Sequence, residues 1–357
     1  AVPLYIVAET PADGKLTTVN VRCNRGFRYV RYVGPHDQRC NISEIRLVGN
    51  DGEGDDSTFD TLTGLPFISI HTENGREVTS KTNYLSGDYT AVYDGGAQIQ
   101  QGMLQIRGRG NASWDFPKKP YKIKLANKVK LLGMPAKEKK WTLINNMGDK
   151  TLMRNLIAFE ASRIFGLEYT PAARSVDVFV NGEYRGNYQL CDQVEQGKNR
   201  VNVTEMEKTD TEGDNLTGGY MFEIDAYAPD EGEAKRDKSW FYTERNTPVT
   251  IKYPDEDDIV PQQTNYIKQY VNKIQDAVFD RNKSLINKIF DVESFLKHFI
   301  IGEFSGNTDT YWSVYMYKDR LNDVVFTGPV WDFDWSSNSI APFDDYSGKG
   351  WFLQNRW

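Results

Sequence analysis

Two aspartates one residue apart, Asp332 and Asp334 in the stretch WDFDW, are the residues of this chain with the most chemical potential. Side chains at i and i+2 of an extended segment share a face. The spacing therefore predicts a strand over 331–335 with both carboxylates side by side, among Trp331, Phe333 and Trp335. Carboxylates in such apolar company repel each other and lose hydration. A hard divalent cation relieves both costs, and Mg²⁺ commonly uses one or two carboxylates with phosphate oxygens completing its shell. The polar outer face of a hairpin would also give the alternation, but it leaves the aromatics beside the aspartates unexplained. A third carboxylate, Asp309, lies upstream in GNTDTYW.

A second grouping suits phosphate. In RGRGNASWDFPKKPYKIKL, residues 107–125, Gly108 and Gly110 fall in a turn just before a predicted strand bearing Lys122 and Lys124. Glycines let backbone N–H groups approach phosphate oxygens, and a strand-borne lysine adds a point charge. A tight hairpin with solvated lysines is the ordinary alternative, since Ser113 stands where a third glycine would be expected. Lys122 and Lys124 share a strand face, so spacing does not choose between them. Glu160 sits at the edge of an apolar helix stripe, where a carboxylate must find a cation or stay in water.

The elements that would carry these residues follow from periodicity. A helix is expected from about Asp149 to Phe165, capped by Asp149 and ended by Gly166, with Leu152, Met153, Leu156, Ile157, Ala161 and Ile164 as its buried stripe. VDVFVNG and EYRGNYQLCD read as two strands around an Asn-Gly turn, and GGYMFEIDA as another strand. LPFISIHT, LQIRGRG and YKIKL also have strand character. Ile267, Tyr270, Val271, Ile274 and Val278 mark one amphipathic helix, and Phe295, Leu296, Phe299 and Ile300 a second. SVYMYKD and DVVFTGPVWDFDW close the pattern as a pair of strands. Strands first and helices later, without a βαβ rhythm, give an α+β fold.

Residues 1–50 read as a β-rich segment, with strands in VNVRC, FRYVRYV and SEIRLVG. The polar, acidic stretch over 51–63 cannot bury enough apolar surface to order itself and is expected as a linker, leaving 64–357 as the main domain. A net charge of −7 argues against nucleic acid as an obligatory partner, because neutralising phosphates needs concentrated Lys and Arg. No apolar run is long enough to span a bilayer. The start at Ala1, without Met or a leader, suits a processed chain. Cys23, Cys40 and Cys191 are too scattered for a zinc site, although Cys23 and Cys40 could pair, and His36, His71 and His298 show no metal-ligand spacing.

The motifs RGRGNASWDFPKKPYKIKL, KLLGMP, KTLMRNLIAFE, VFVNGEYRGNYQL, RVNV, GGYMFEID and GPVWDFDW, in this order, resemble the spore coat protein H (CotH) family over about residues 64–340. RYVRYVGPHDQRCNISEIRLVG is similar to the closing strands of discoidin-like modules, and a glycan is the contact such a fragment could make. The CotH resemblance implies a remote protein-kinase-like fold and ATP-dependent phosphorylation of Ser/Thr hydroxyls on secreted or surface proteins, with Mg²⁺ or Mn²⁺ as cofactor. It further implies Asp309 as the catalytic carboxylate, Asp332 as metal ligand, and Asp334 as second ligand or support. Lys122 or Lys124 would contact the phosphates with Glu160 bracing that lysine, and Arg109 and Asn111 would serve the phosphate loop. An extracytoplasmic or cell-surface location follows from the family's habit.

Two departures from the family stand out. Many members carry Asn a few residues after the catalytic Asp, where Ser313 is nearest here, and members usually continue beyond the position of Trp357, so a shortened C-terminus is expected. The competing reading is a non-catalytic, pseudokinase-like scaffold or glycan-binding module. A glycosidase pair fits less well, since Asp332 and Asp334 are neighbours, whereas that chemistry needs carboxylates flanking the bond, about 5 to 9.5 Å apart.

Overall fold

The computed structural model of the chain describes residues 4–7, 12–21, 29–32, 45–49, 63–93, 98–307 and 310–334. Among the described residues before position 50 none lies in a strand, and strand structure begins at Phe67. The remainder of the expected N-terminal strands, Cys23, Cys40, His36 and nearly all of the expected linker lie outside the described residues. No described helix is long and apolar enough to cross a membrane.

The chain forms two compact units, the first from residues 1–147 and 173–191, the second from 148–172 and 192–357. The first is built on a closed barrel. Its strands are β1 (Phe67–Thr72), β2 (Leu85–Tyr93), β3 (Gln98–Gly108), β4 (Tyr121–Val129), β5 (Glu138–Ile144), β6 (Ala173–Val180) and β7 (Glu183–Asp192). They are ordered β1-β2-β3-β4-β5-β7-β6, and parallel pairing of β1 with β6 closes the ring.

Period-two alternation selects which side chains fill the barrel. On β4, Tyr121, Ile123 and Leu125 are buried, whereas Lys122 is half-buried and Lys124 exposed, so the two lysines share the outer face as expected. The β6–β7 turn follows its sequence signal, since Asn181 (φ 54°) and Gly182 (φ 84°) both take the left-handed conformation that a two-residue hairpin of this hand requires.

The second unit opens with α1 (Arg154–Phe165) and continues with α2 (Gly213–Leu216), β8 (Tyr220–Asp225), β9 (Trp240–Tyr242) and β10 (Pro248–Tyr253). Then come α3 (Pro261–Phe279), α4 (Lys283–Ile289), α5 (Val292–Ser305), β11 (Ser313–Lys318) and β12 (Val325–Thr327). The sheet order is β12-β11-β8-β10-β9. One sheet face packs on the helices through a core that includes Tyr220, Phe222, Val249, Ile267, Val271 and Val314.

The expected apolar stripe of α1 is not its buried face. Met153, Ile157 and Ile164 are exposed, and the helix instead buries Asn155, Ala158, Phe159 and Ser162. The reason is that the buried face is chosen by bonds as well as by hydrophobicity: Asn155 accepts from Phe333, and the Ser162 and Thr170 hydroxyls meet at 2.6 Å. α5 behaves alike, burying Ser294, His298, Ile301 and Gly302 while Leu296 and Ile300 stay exposed. The predicted end of α1 is correct, with Gly166 left-handed at φ 69°.

In the same unit Lys318 is fully buried. Its ammonium donates to the Thr217 carbonyl and lies 5.0 and 5.6 Å from the rings of Tyr270 and Tyr266. Burial lowers its pKa to about 8 in spite of Asp323 and Asp319. The folded protein thus holds this proton less tightly than the unfolded chain, so stability rises as pH climbs from about 8 towards 10.5. Across that window wild type should gain on the order of 2 kcal/mol relative to Lys318→Met in urea denaturation. Parallel pH profiles for the two proteins would show that the site tolerates the charge.

Candidate functional site

Residues 331–334 of the WDFDW segment do not form the strand that the alternation suggested, and Trp335 lies outside the described residues. β12 stops at Thr327, and residues 331–334 follow an irregular path in which Asp332 takes a left-handed conformation, φ 64°. A non-glycine residue there is disfavoured sterically, so neighbours must hold it. The Phe333 N–H donates to Asn155 Oδ1 at 2.7 Å, and Asn307 Nδ2 donates to the Asp332 carbonyl at 3.3 Å. Phe333 is fully buried, and Trp331 stacks on Phe159 with centroids 6.1 Å apart. These anchors turn Asp332 outward to an exposed position and leave Asp334 buried, at 6% exposure.

The two carboxylates still meet, although by a bend rather than a pleat. Burial pushes the Asp334 carboxyl well above its ordinary pKa, and the neighbouring Asp332, with Asp149 as a smaller influence, pushes it further. Asp149 shows the opposite behaviour. Burial alone would raise it, but bonds from the Thr151 hydroxyl and from the backbone N–H groups of Arg154 and Thr151 hold its carboxyl below the ordinary range. Asp149 also pairs with the Arg154 guanidinium, and its Oδ2 accepts the Arg154 N–H at 2.9 Å, but it is not the expected cap: α1 begins five residues later, at Arg154 with Met153 at its N-cap, because the Asp149 carboxylate is spent closing the turn over 149–154. The turn leads directly into Asn155, the residue after Arg154 and the first buried position of the helix.

In the first unit the glycine-rich loop is a packed turn. A Cβ on Gly108 would lie 2.3 Å from the Trp114 ring, and Gly110 is left-handed at φ 85°. Lys118 donates to the Asn187 carbonyl and lies 4.6 Å from the Tyr188 ring centre, while Lys119 donates to the Trp114 carbonyl at 2.6 Å. Asn145 Nδ2 holds the Lys118 carbonyl at 2.6 Å. The PKKP lysines therefore pin the loop instead of solvating it. Arg109 is half-buried and Asn111 exposed on the same loop.

Of the residues singled out from the sequence, Asp332 and Asp334 come together in the second unit, and Lys122, Lys124, Arg109 and Asn111 belong to the first. Asp309 lies outside the described residues. Glu160 is exposed on α1 and pairs with Arg163 at 3.1 Å. Sequence reasoning missed Asn155 and Asn307. A polar residue in the buried register of TLMRNLIAFE was the available signal for Asn155, while Asn307 carried none beyond its place two residues before Asp309.

No group of three His, Cys, Asp or Glu side chains forms a ready metal cage among the described residues. The Asp332–Asp334 pair nevertheless fits a hard divalent cation. It offers oxygen donors only, one carboxylate is buried beside another, and Mg²⁺ takes the rest of its shell from water and phosphate. Without a cation, burial and mutual repulsion destabilise the fold, so Asp334→Asn should raise the urea midpoint at neutral pH, corresponding to on the order of 1 kcal/mol of added stability. A lowered midpoint would mean that the buried carboxylate is already compensated.

Comparison with known proteins was made against this geometry. Residues 106–354 match the family described as CotH kinase protein, and no curated protein matches the chain. The match covers the glycine-rich loop, both lysines, the capped helix and the Asp332–Asp334 bend, and extends over more than half of the sequence. The chain belongs to the CotH kinase family.

Proposed function

We propose that the chain is an ATP- and divalent-metal-dependent phosphotransferase acting on Ser/Thr hydroxyls of a secreted or cell-surface protein. Membership of a kinase family implies use of ATP. The observation that carries the finer reading is the buried Asp334 held against Asp332 by the Asn155 and Asn307 anchors, a charge arrangement that a cation would complete.

In this reading Asp332 and Asp334 hold Mg²⁺ or Mn²⁺, which when bound would neutralise charge on the ATP phosphates. Lys122 or Lys124 contacts the phosphates, and Arg109 and Asn111 line the loop beside them. Asp309 accepts the proton of the acceptor hydroxyl as its oxygen bonds to the γ-phosphorus. The bond from that phosphorus to the β-phosphate oxygen breaks, and ADP leaves with the electron pair. Glu160, exposed and paired with Arg163 at 3.1 Å, keeps the bracing role that the family resemblance implies by exchanging that partner for the lysine. At the position nearest the family's asparagine, the Ser313 hydroxyl donates to Glu223 at 2.5 Å, and Glu223 pairs with Lys252 at 2.8 Å. Ser313 is thereby committed, and we assign a single cation to the aspartate pair.

The test is a thermal-shift titration with ATP, with and without Mg²⁺ or Mn²⁺, followed by transfer of labelled γ-phosphate to Ser/Thr-containing proteins. Saturation at about 100 times Kd should stabilise wild type by about 2.7 kcal/mol, only with metal present, and Asp332→Ala should abolish the effect. Asp309→Ala should keep the shift and lose transfer by roughly 10²–10⁴-fold. Absence of any nucleotide shift would move the assignment to a scaffold built on a kinase fold, and full transfer by Asp309→Ala would remove Asp309 from the catalytic role.

A further inference from the structure

Two buried asparagines, Asn155 of α1 and Asn307 just past the end of α5, hold one and the same peptide group. Asn155 Oδ1 accepts the Phe333 N–H at 2.7 Å, and Asn307 Nδ2 donates to the Asp332 carbonyl at 3.3 Å. Those backbone atoms are the two ends of the peptide bond between Asp332 and Phe333. In the trans form it takes here, the carbonyl and the N–H point in opposite directions, so the asparagines grip the bond from opposite sides. The atom types follow from chemistry, because a backbone N–H only donates and a carbonyl only accepts. Asn155 is 2% exposed and Asn307 1%, so water is not at hand to replace either side chain.

The gripped peptide lies between the two carboxylates. Rotating its plane changes ψ of Asp332 and φ of Phe333, and with them the direction of the Asp334 side chain relative to that of Asp332. In an extended chain, residues two apart are separated by about 6.6 Å along the strand. Here the left-handed Asp332, φ 64°, bends the chain and brings the two carboxyl groups into hydrogen-bonding contact. The bend opposes itself twice, since its backbone conformation is disfavoured for a residue with a Cβ and its carboxylates repel. The two asparagine bonds counter both tendencies. Each asparagine is itself anchored. Asn155 lies in the first turn of α1, and the Asn307 N–H donates to the Gly302 carbonyl at 3.0 Å, in the hydrogen-bonded terminus that left-handed Gly306 gives α5. α1 packs on α5, so one helix pair sets both sides of the grip.

We propose that Asn155 and Asn307 are paired positioning residues for the divalent cation, a peptide clamp that sets the Asp332 and Asp334 carboxylates at one spacing before the metal arrives. The proposal rests on the reading of that pair as the metal site given above. The asparagines act through the backbone of the bend, and the carboxylates are the ligands. Partners in the outer shell of a metal site typically contribute about 10- to 100-fold to its affinity. Both asparagines act on one peptide, so loss of either bond frees the plane and loss of the second adds little. Groups that share a partner in this way are non-additive.

The experiment titrates Mn²⁺ alone, read by loss of the free-ion EPR signal, and takes the binding that disappears in Asp332→Ala as that of the aspartate pair. In Asn155→Ala and in Asn307→Ala the dissociation constant of this site should rise about 10- to 100-fold. The double variant should lose far less than the product of the two single losses. Ser162→Ala is the control. It removes another buried polar side chain of α1, bonded to Thr170 at 2.6 Å and not to the bend, so it should lower the urea midpoint and leave Mn²⁺ affinity at the wild-type value. Either single variant carries the test if the other fails to fold. Wild-type affinity in a folded single variant, losses that multiply in the double variant, or an equal loss in Ser162→Ala would each overturn the clamp. Absence of Asp332-dependent Mn²⁺ binding in wild type would overturn the metal reading itself and the clamp with it, so the two failures are told apart.

Discussion

The hydrogen bond from the Phe333 N–H to Asn155 Oδ1 is the constraint on which the rest of the site depends. It joins the first turn of α1 to the bend that carries both aspartates, and it is buried, so water cannot replace it cheaply. Around it the other features fall in place. Asp149 closes the turn that leads into α1 and Asn155, Trp331 stacks on Phe159 of the same helix, and Asn307 donates to the Asp332 carbonyl. The left-handed backbone of Asp332 is tolerated because these contacts over-determine it.

The second unit uses charge in three ways. Asp149 is buried and satisfied, with several donors and a guanidinium, and serves as structure. Asp334 is buried beside another carboxylate, and burial and that neighbour push its carboxyl well above the ordinary range. The Glu223–Lys252 pair, joined by the Ser313 hydroxyl, is a closed ionic unit beneath the start of β11. Burial is common to all three, so burial alone does not mark function. What marks Asp334 is that burial and the neighbouring Asp332 carboxylate both push its carboxyl upward.

The sequence was most informative where local rules act without competition. The Asn-Gly turn between β6 and β7, the glycine that ends α1 and the alternation of β4 could all be read from adjacent residues, whereas the start of α1, expected at Asp149, falls at Arg154. It misled where tertiary bonds override periodicity. Met153, Ile157 and Ile164 promised a buried stripe, but Asn155 and Ser162 hold the inward face because their partners come from elsewhere in the unit. The WDFDW alternation has the same lesson: its two aspartates do meet, but through a left-handed residue whose geometry depends on a helix nearly 180 residues earlier.

The parallel closure of the barrel has a consequence for synthesis. Phe67 of β1 pairs with Asp177 of β6, about 110 residues later, and α1 of the other unit is made in between. At translation rates of about 5–20 residues per second, one edge of β1 waits roughly 5–20 s for its partner. During that interval the nascent sheet is an open ribbon with an uncovered edge, the form in which strands pair with wrong neighbours. Such long-range closure also slows folding, because the loop must be drawn together before its contacts form. The ribosome-bound chain therefore depends on whatever shields that edge until β6 emerges.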